Sequence, residues 1–175
     1  MASNTAPPTQ AVIVRHGDAE QLELPAATFG LLADSGTTQG ALGANRLRLG
    51  TGADGATPHY HACSWELFYV VDGAMEFLLD DRVSVVEAGD LVLVPPRMPH
   101  AFGAAPGSTA DVLVVIAPGV ARFGYFRHLQ RIALGQEPAA SLAPVQDRYD
   151  VHFVDSGAWT TTRTPGRSTR ASTFG

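Results

Sequence analysis

The sequence predicts an all-β protein, a small antiparallel barrel carrying short C-terminal helices. Short Val/Leu/Phe-rich runs recur with a period of two, turn residues bound them at even intervals, and helical periodicity is confined to the region after residue 120. Such a pattern reads as a sandwich or barrel and excludes a βαβ fold. The runs are Ala11–Arg15, Phe29–Ala33, Asn45–Leu49, Glu66–Val71, Ala74–Leu79, Arg82–Val86, Leu91–Val94 and Asp111–Ala117. Their boundaries are Gly50–Gly55, Asp72-Gly73, Asp80-Asp81, Gly89-Asp90 and Pro118-Gly119. Asp72-Gly73 lies between two alternating runs and predicts a type I′ hairpin, whose two central residues need positive φ.

Arg122–Leu134 sets Phe123, Phe126, Leu129 and Ile132 or Ala133 on one helical stripe, with Gly135 where a C-cap belongs. A second short helix is predicted from an N-cap at Ser141 to Tyr149. These helices pack outside the barrel or across one mouth. Residues 1–10 read as a flexible N-terminus and residues 158–175 as a disordered tail. Between them, 11–157 form a single domain, with a barrel over about 11–119 and a helical extension over about 120–157.

Composition narrows the function classes. A chain of 175 residues with 45% hydrophobic and 17% charged residues is an ordinary soluble domain with a proper core. No apolar run approaches the roughly 20 residues of a membrane-spanning helix, and the first residues lack the pattern of a signal peptide. The single cysteine, Cys63, cannot form an intrachain disulfide and suits the cytoplasm. A net charge of −5 argues against nucleic acid. All 12 basic residues are arginine, so Schiff-base chemistry on a lysine of this chain is excluded.

The chemistry is concentrated between His59 and His100. His59 and His61 are two apart, so a strand points both imidazoles the same way. Glu66 follows after an odd interval, so Ala62-Cys63-Ser64-Trp65 must break the strand for the carboxylate to face the same side. Phe68 and Val70 then share the interior with Glu66. Pro95, Pro96 and Pro99 stiffen the approach to His100. Three nitrogens and one oxygen from His59, His61, Glu66 and His100 suit one divalent transition metal, Fe, Ni, Mn or Co, with one or two positions left open. Zinc fits less well, because closed structural zinc sites more often use cysteine.

These residues carry a family resemblance. His59, His61, Glu66 and Gly73, then Gly89, Pro95 and His100, resemble the two motifs of the cupin superfamily, which together cover residues 52–104. Arg97 stands where the pattern usually has glycine, and Ala104 where it usually has asparagine. The resemblance implies a jelly-roll barrel. Leu32-Ala33-Asp34-Ser35 upstream and Phe123-Gly124-Tyr125-Phe126 downstream are similar to small single-domain bacterial cupins related to quercetin 2,3-dioxygenase. That likeness implies a metal-dependent dioxygenase acting with O2 on a phenolic or enolic aromatic molecule, with Glu66 as both ligand and catalytic base. It also implies a homodimer paired through sheets.

Candidate pocket residues are Phe68, Val70, Met75, Phe77, Met98 and Phe102, with Met75, Phe77 and Leu79 inward if Glu76 faces solvent. Trp65 and Tyr69 suit packing or a subunit contact, and Phe123, Tyr125 and Phe126 a lid or ordinary helix packing. Cys63 reads as a small buried hydrophobe near the ligands. Arg97 suits either the pocket mouth or an exposed ion pair. His16, His128 and His152 fit no ligand spacing and read as surface or capping residues. Two other functions use the same residues: a non-redox cyclase or isomerase of a polyketide-like intermediate, and a small-molecule-binding module without catalysis.

Overall fold

Alternating segments become strands where both edges of the backbone find partners. In the computed structural model, which describes residues 11–163, ten strands form one continuous curled sheet. They are β1 (Glu20–Leu24), β2 (Ala27–Ala33), β3 (Gly43–Leu49), β4 (Asp54–Tyr60), β5 (Trp65–Leu79), β6 (Arg82–Glu87), β7 (Leu91–Val94), β8 (His100–Ala104), β9 (Ala110–Ala117) and β10 (His152–Phe153). The order is β1-β2-β3-β9-β5-β8-β4-β10, with β6 and β7 also paired to β5. Every pairing is antiparallel.

β5 is the spine of the barrel. Its first half pairs with β7 and β9, and its second half with β6 and β8. The hairpin expected at Asp72-Gly73 is therefore corrected, because one strand continues through it without reversing. Gly73 has φ +77 but Asp72 is not in the positive-φ region, so a type I′ turn does not form. A register shift against β9 between Val70 and Asp72 bends the strand instead, carrying it from one side of the barrel to the other.

The predicted alternation holds along the first half of β5: Glu66, Phe68 and Val70 are buried, whereas Trp65, Tyr69 and Val71 are exposed. Phe68, Phe77 and Phe102 pack as an aromatic trio, with centroids 5.0, 5.0 and 5.7 Å apart. Burying side chains of this size contributes about 1.5–3 kcal/mol each. Past Gly73 both faces of β5 are covered. Glu76, expected in solvent, is buried and bonded to Arg163 Nη1 at 3.0 Å, while Leu78 packs against Trp159 and Ala101.

Arg163 and Trp159 belong to a helix at Gly157–Arg163, so residues 158–163 are folded rather than part of a tail. The expectations for residues 1–10 and 164–175 lie outside the described residues. Ala11–Arg15 is not a strand; Val12, Ile13 and Val14 are exposed and no described strand pairs with the segment.

Helix α1 (Phe123–Ala133) forms as predicted, and Gly135 closes it at φ +71. The second predicted helix is instead a 3-10 segment, Ala139–Val145, followed by the single turn α2 (Gln146–Tyr149). Pro138, not Ser141, starts it, and Pro144 withholds a backbone donor from a regular α-helix. The Gly157–Arg163 helix, α3, lies against the opposite face of β5 and β8.

A Cβ at Gly73 would sit 2.0 Å from the Thr109 carbonyl oxygen, on a backbone already at positive φ. Gly73→Ala is expected to cost roughly 2–3 kcal/mol, read as a lowered denaturation midpoint. An unchanged midpoint would contradict the close approach of β5 and β9.

Candidate metal centre

The strand register brings the four expected residues together. His59 on β4 lies opposite His100 on β8, and His61 follows directly after the end of β4. Residues 61–64 leave strand geometry and β5 opens at Trp65, which supplies the break that the odd spacing requires. Asp150 braces this break from 88 residues away: its carboxylate accepts the Ala62 N–H at 2.7 Å and the Cys63 N–H at 3.2 Å.

Each imidazole is oriented by the backbone. The Nδ1 of His59, His61 and His100 faces the carbonyl of Thr57, Asp150 and Met98 respectively. A carbonyl only accepts, so Nδ1 carries a proton and each ring turns its Nε2 toward the cluster. His61 Nε2 and His100 Nε2 both lie 3.0 Å from Glu66 Oε2. One ligand atom from each of the four buried residues lies within 4.8 Å of all the others. Donor atoms this close are held together by a shared proton or by a cation, and this donor set suits a divalent transition ion.

Charge states agree with that fit. Burial, with the neighbouring His100 and His61, holds His59 well below the usual imidazole range. Burial alone would raise Glu66, but His61, His100 and Arg122 together outweigh it and hold the carboxyl well below its ordinary value. Arg122 precedes α1, its backbone N–H bonded to Asp34 Oδ1 at 2.8 Å and its Nη1 to Glu66 Oε1 at 3.0 Å. Its guanidinium lies 5.7 and 5.4 Å from the ring centroids of Tyr125 and Phe126.

A largely apolar cavity of about 510 Å³ opens onto His59, Glu66 and Arg122. Phe29, Leu47, Phe102, Tyr125, Phe126 and Leu142 form much of its wall. Of the expected pocket residues, only Phe102 lines it. Phe68, Val70, Met75 and Phe77 are fully buried in the core, and Met98 packs against that core. The reason is direction: the free space lies toward β2, β3, β4 and α1, whereas the inward face of β5 beyond Glu66 is filled by its own neighbours. Tyr125 and Phe126 do cover the cavity, together with the 3-10 segment.

Cys63 is exposed rather than buried. Arg97 is exposed as well and holds φ +69, the region for which the usual glycine is suited, while its N–H bonds to the His61 carbonyl at 2.7 Å. His128 is buried and bonded to Ser141 and Glu137, which ties α1 to the 3-10 segment, and His152 on β10 lies 3.3 Å from Asp150. His16 is exposed. Arg122 and Asp150 escaped the sequence reading, since neither has a fixed spacing from the ligands.

Residues 45–121 match the family model of the cupin domain. That stretch is similar to a cupin domain. All four clustered residues lie within the matched region, whereas Arg122 lies immediately after it and Asp150 well beyond it. Similar solved structures include KdgF from Halomonas sp., at 23% identity and TM-score 0.54, covering 62% of this chain and 94% of that one. An RmlC-like cupin from Shewanella frigidimarina NCIMB 400 has 20% identity and TM-score 0.54, with 66% and 96% covered. The polyketide cyclase RemF from Streptomyces resistomycificus has 20% identity and TM-score 0.52, with 71% and 99% covered. At these identities the likeness establishes the cupin fold alone. No curated protein sequence matches the chain.

His100→Ala is expected to keep the cupin barrel folded by circular dichroism. It should weaken metal binding by at least the roughly 10–100-fold that losing a supporting partner costs; full metal content by mass spectrometry would break the four-ligand assignment. Arg97→Gly should raise stability by about 0.5–1 kcal/mol through relief of positive φ, and a fall in the denaturation midpoint would refute that account.

Proposed function

We propose that this protein is a metal-dependent cupin oxygenase, resembling quercetin dioxygenases, acting on a phenolic or enolic aromatic small molecule. The supporting observation is the large apolar cavity opening onto His59 and Glu66 of the buried donor set. His59, His61, Glu66 and His100 would hold one Fe, Ni, Mn or Co ion. That ion would supply an open position for a substrate oxygen and, if redox-active, a route for electrons to O2. Phe29, Phe102 and Phe126 would hold the aromatic body and keep water from it. Glu66 would take the proton of the substrate hydroxyl at a carboxylate oxygen, as its ligand position allows.

One observation favours a second reading. His61, His100 and Arg122 together make the Glu66 carboxylate a weak base, which suits a non-redox cyclase or isomerase that stabilises an enolate without strong proton abstraction. The neighbour RemF is itself a polyketide cyclase.

Oxygen uptake by protein reconstituted anaerobically with each metal, using a flavonol, separates the readings. The oxygenase predicts uptake that requires both metal and substrate and falls by roughly 10²–10⁴-fold in Glu66→Gln. Absence of uptake with every metal would overturn it and favour the cyclase or isomerase.

The protein would act as a homodimer. Tyr69 lies between Leu91 and Leu113, and Leu67 between Leu93 and Val115, which makes one apolar surface across β7, β5 and β9. Trp65, Tyr69, Leu91 and Leu93 on it are exposed. Analytical ultracentrifugation should show a dimer that Leu93→Arg converts to monomer; a monomeric wild-type chain would refute the pairing.

A further inference from the structure

We propose that Arg122 recognises a carboxylate on the molecule that fills the cavity, with the Asn45 side chain as a second polar contact. The inference rests on the reading of the cavity as a substrate site and adds the charge of its occupant. A guanidinium offers five N–H donors in one plane. Only Nη1 of Arg122 is committed, to Glu66. Nε is fully enclosed without an acceptor, and no group among the described residues accepts from Nη2.

Nε and Nη2 form one edge of the plane, the edge that matches a carboxylate with two parallel bonds. This chain uses that edge in this way elsewhere. Arg46 holds Asp111 through Nε and Nη2 at 2.6 Å each, and Arg127 holds Glu20 through the same pair at 3.0 and 2.6 Å. On Arg122 the same edge is without an acceptor, in a residue that is 7% exposed and lines the cavity.

A buried donor of a charged group without an acceptor is costly, so a ligand group is the natural partner. Asn45, 6% exposed, also lines the cavity, and its amide has no partner among the described residues. The occupant is therefore an apolar acid: its body lies against Phe29, Leu47 and Phe102, and its carboxylate at Arg122.

The test compares 2-naphthoate with the neutral, similarly shaped 2-naphthamide by calorimetry, on metal-loaded protein and again after chelation. Wild-type protein should prefer naphthoate by roughly tenfold or more. The preference should survive chelation, which removes any direct contact of the carboxylate with the metal. Arg122→Lys keeps a cation near Glu66 but lacks the two-bond edge, and should abolish most of the preference. Asn45→Leu should weaken naphthoate by a smaller factor.

A readout on the unmutated chain guards against misfolded variants. In protein carrying 15N-arginine, the Arg122 Nε–H resonance should move on addition of naphthoate and stay in place with naphthamide. Equal affinities, no naphthoate binding at millimolar concentration, or an unmoved resonance at saturation would each overturn the proposal. So would a preference that vanishes on chelation, which places the carboxylate on the metal. The oxygenase reading, judged by oxygen uptake, stands or falls separately.

Discussion

The centre depends on keeping one carboxylate charged inside an apolar barrel. Glu66 is 3% exposed, and burial by itself would drive it to the neutral acid. Arg122 on one oxygen and two imidazoles on the other reverse that tendency. Removing one member of such a buried pair typically costs about 3–5 kcal/mol, because the survivor is left uncompensated. The placement of Arg122 is thus as consequential for the centre as any of the four clustered residues. It depends in turn on α1, whose start is tied to the barrel through Asp34.

The imidazoles are constrained in a different way. Two of the three are oriented by a carbonyl only two residues away in sequence, Thr57 for His59 and Met98 for His100. These local contacts come with the strand ends themselves. His61 alone takes its carbonyl from Asp150, the residue whose carboxylate also braces the break before β5. One residue after α2 therefore sets both the ring of His61 and the chain path that turns Glu66 inward. The C-terminal extension is part of the centre and not only a cover over it.

This division explains what the sequence could disclose. The four clustered residues were legible because strand parity is a local rule: two residues apart share a face, and five apart require a break. Legible for the same reason were β3, β7 and β9, where alternation coincides with burial. Asp72-Gly73 misled because the pair has the composition of a hairpin turn. Whether the chain reverses there is decided by a partner strand some 40 residues later, and β9 arrives in register along the whole first half of β5. Glu76 and residues 158–163 were misplaced together, since each looks solvent-exposed until Arg163 closes on Glu76. The pocket was misassigned because parity gives the side of a strand and not the depth to which neighbours fill it.

Arg122 also links structure to reactivity. A carboxylate paired with a guanidinium is a dependable ligand but a reluctant base, and both properties come from the same bond. If Glu66 must accept a proton during turnover, the pairing has to weaken when substrate enters. An anionic substrate on the free edge of Arg122 would do this, because a guanidinium shared between two carboxylates attracts each of them less. Substrate binding would then raise the basicity of Glu66 at the moment a base is needed, without moving any strand. A neutral substrate would leave the pair intact and the base weak, so the charge of the occupant and the choice of chemistry are coupled through this one side chain.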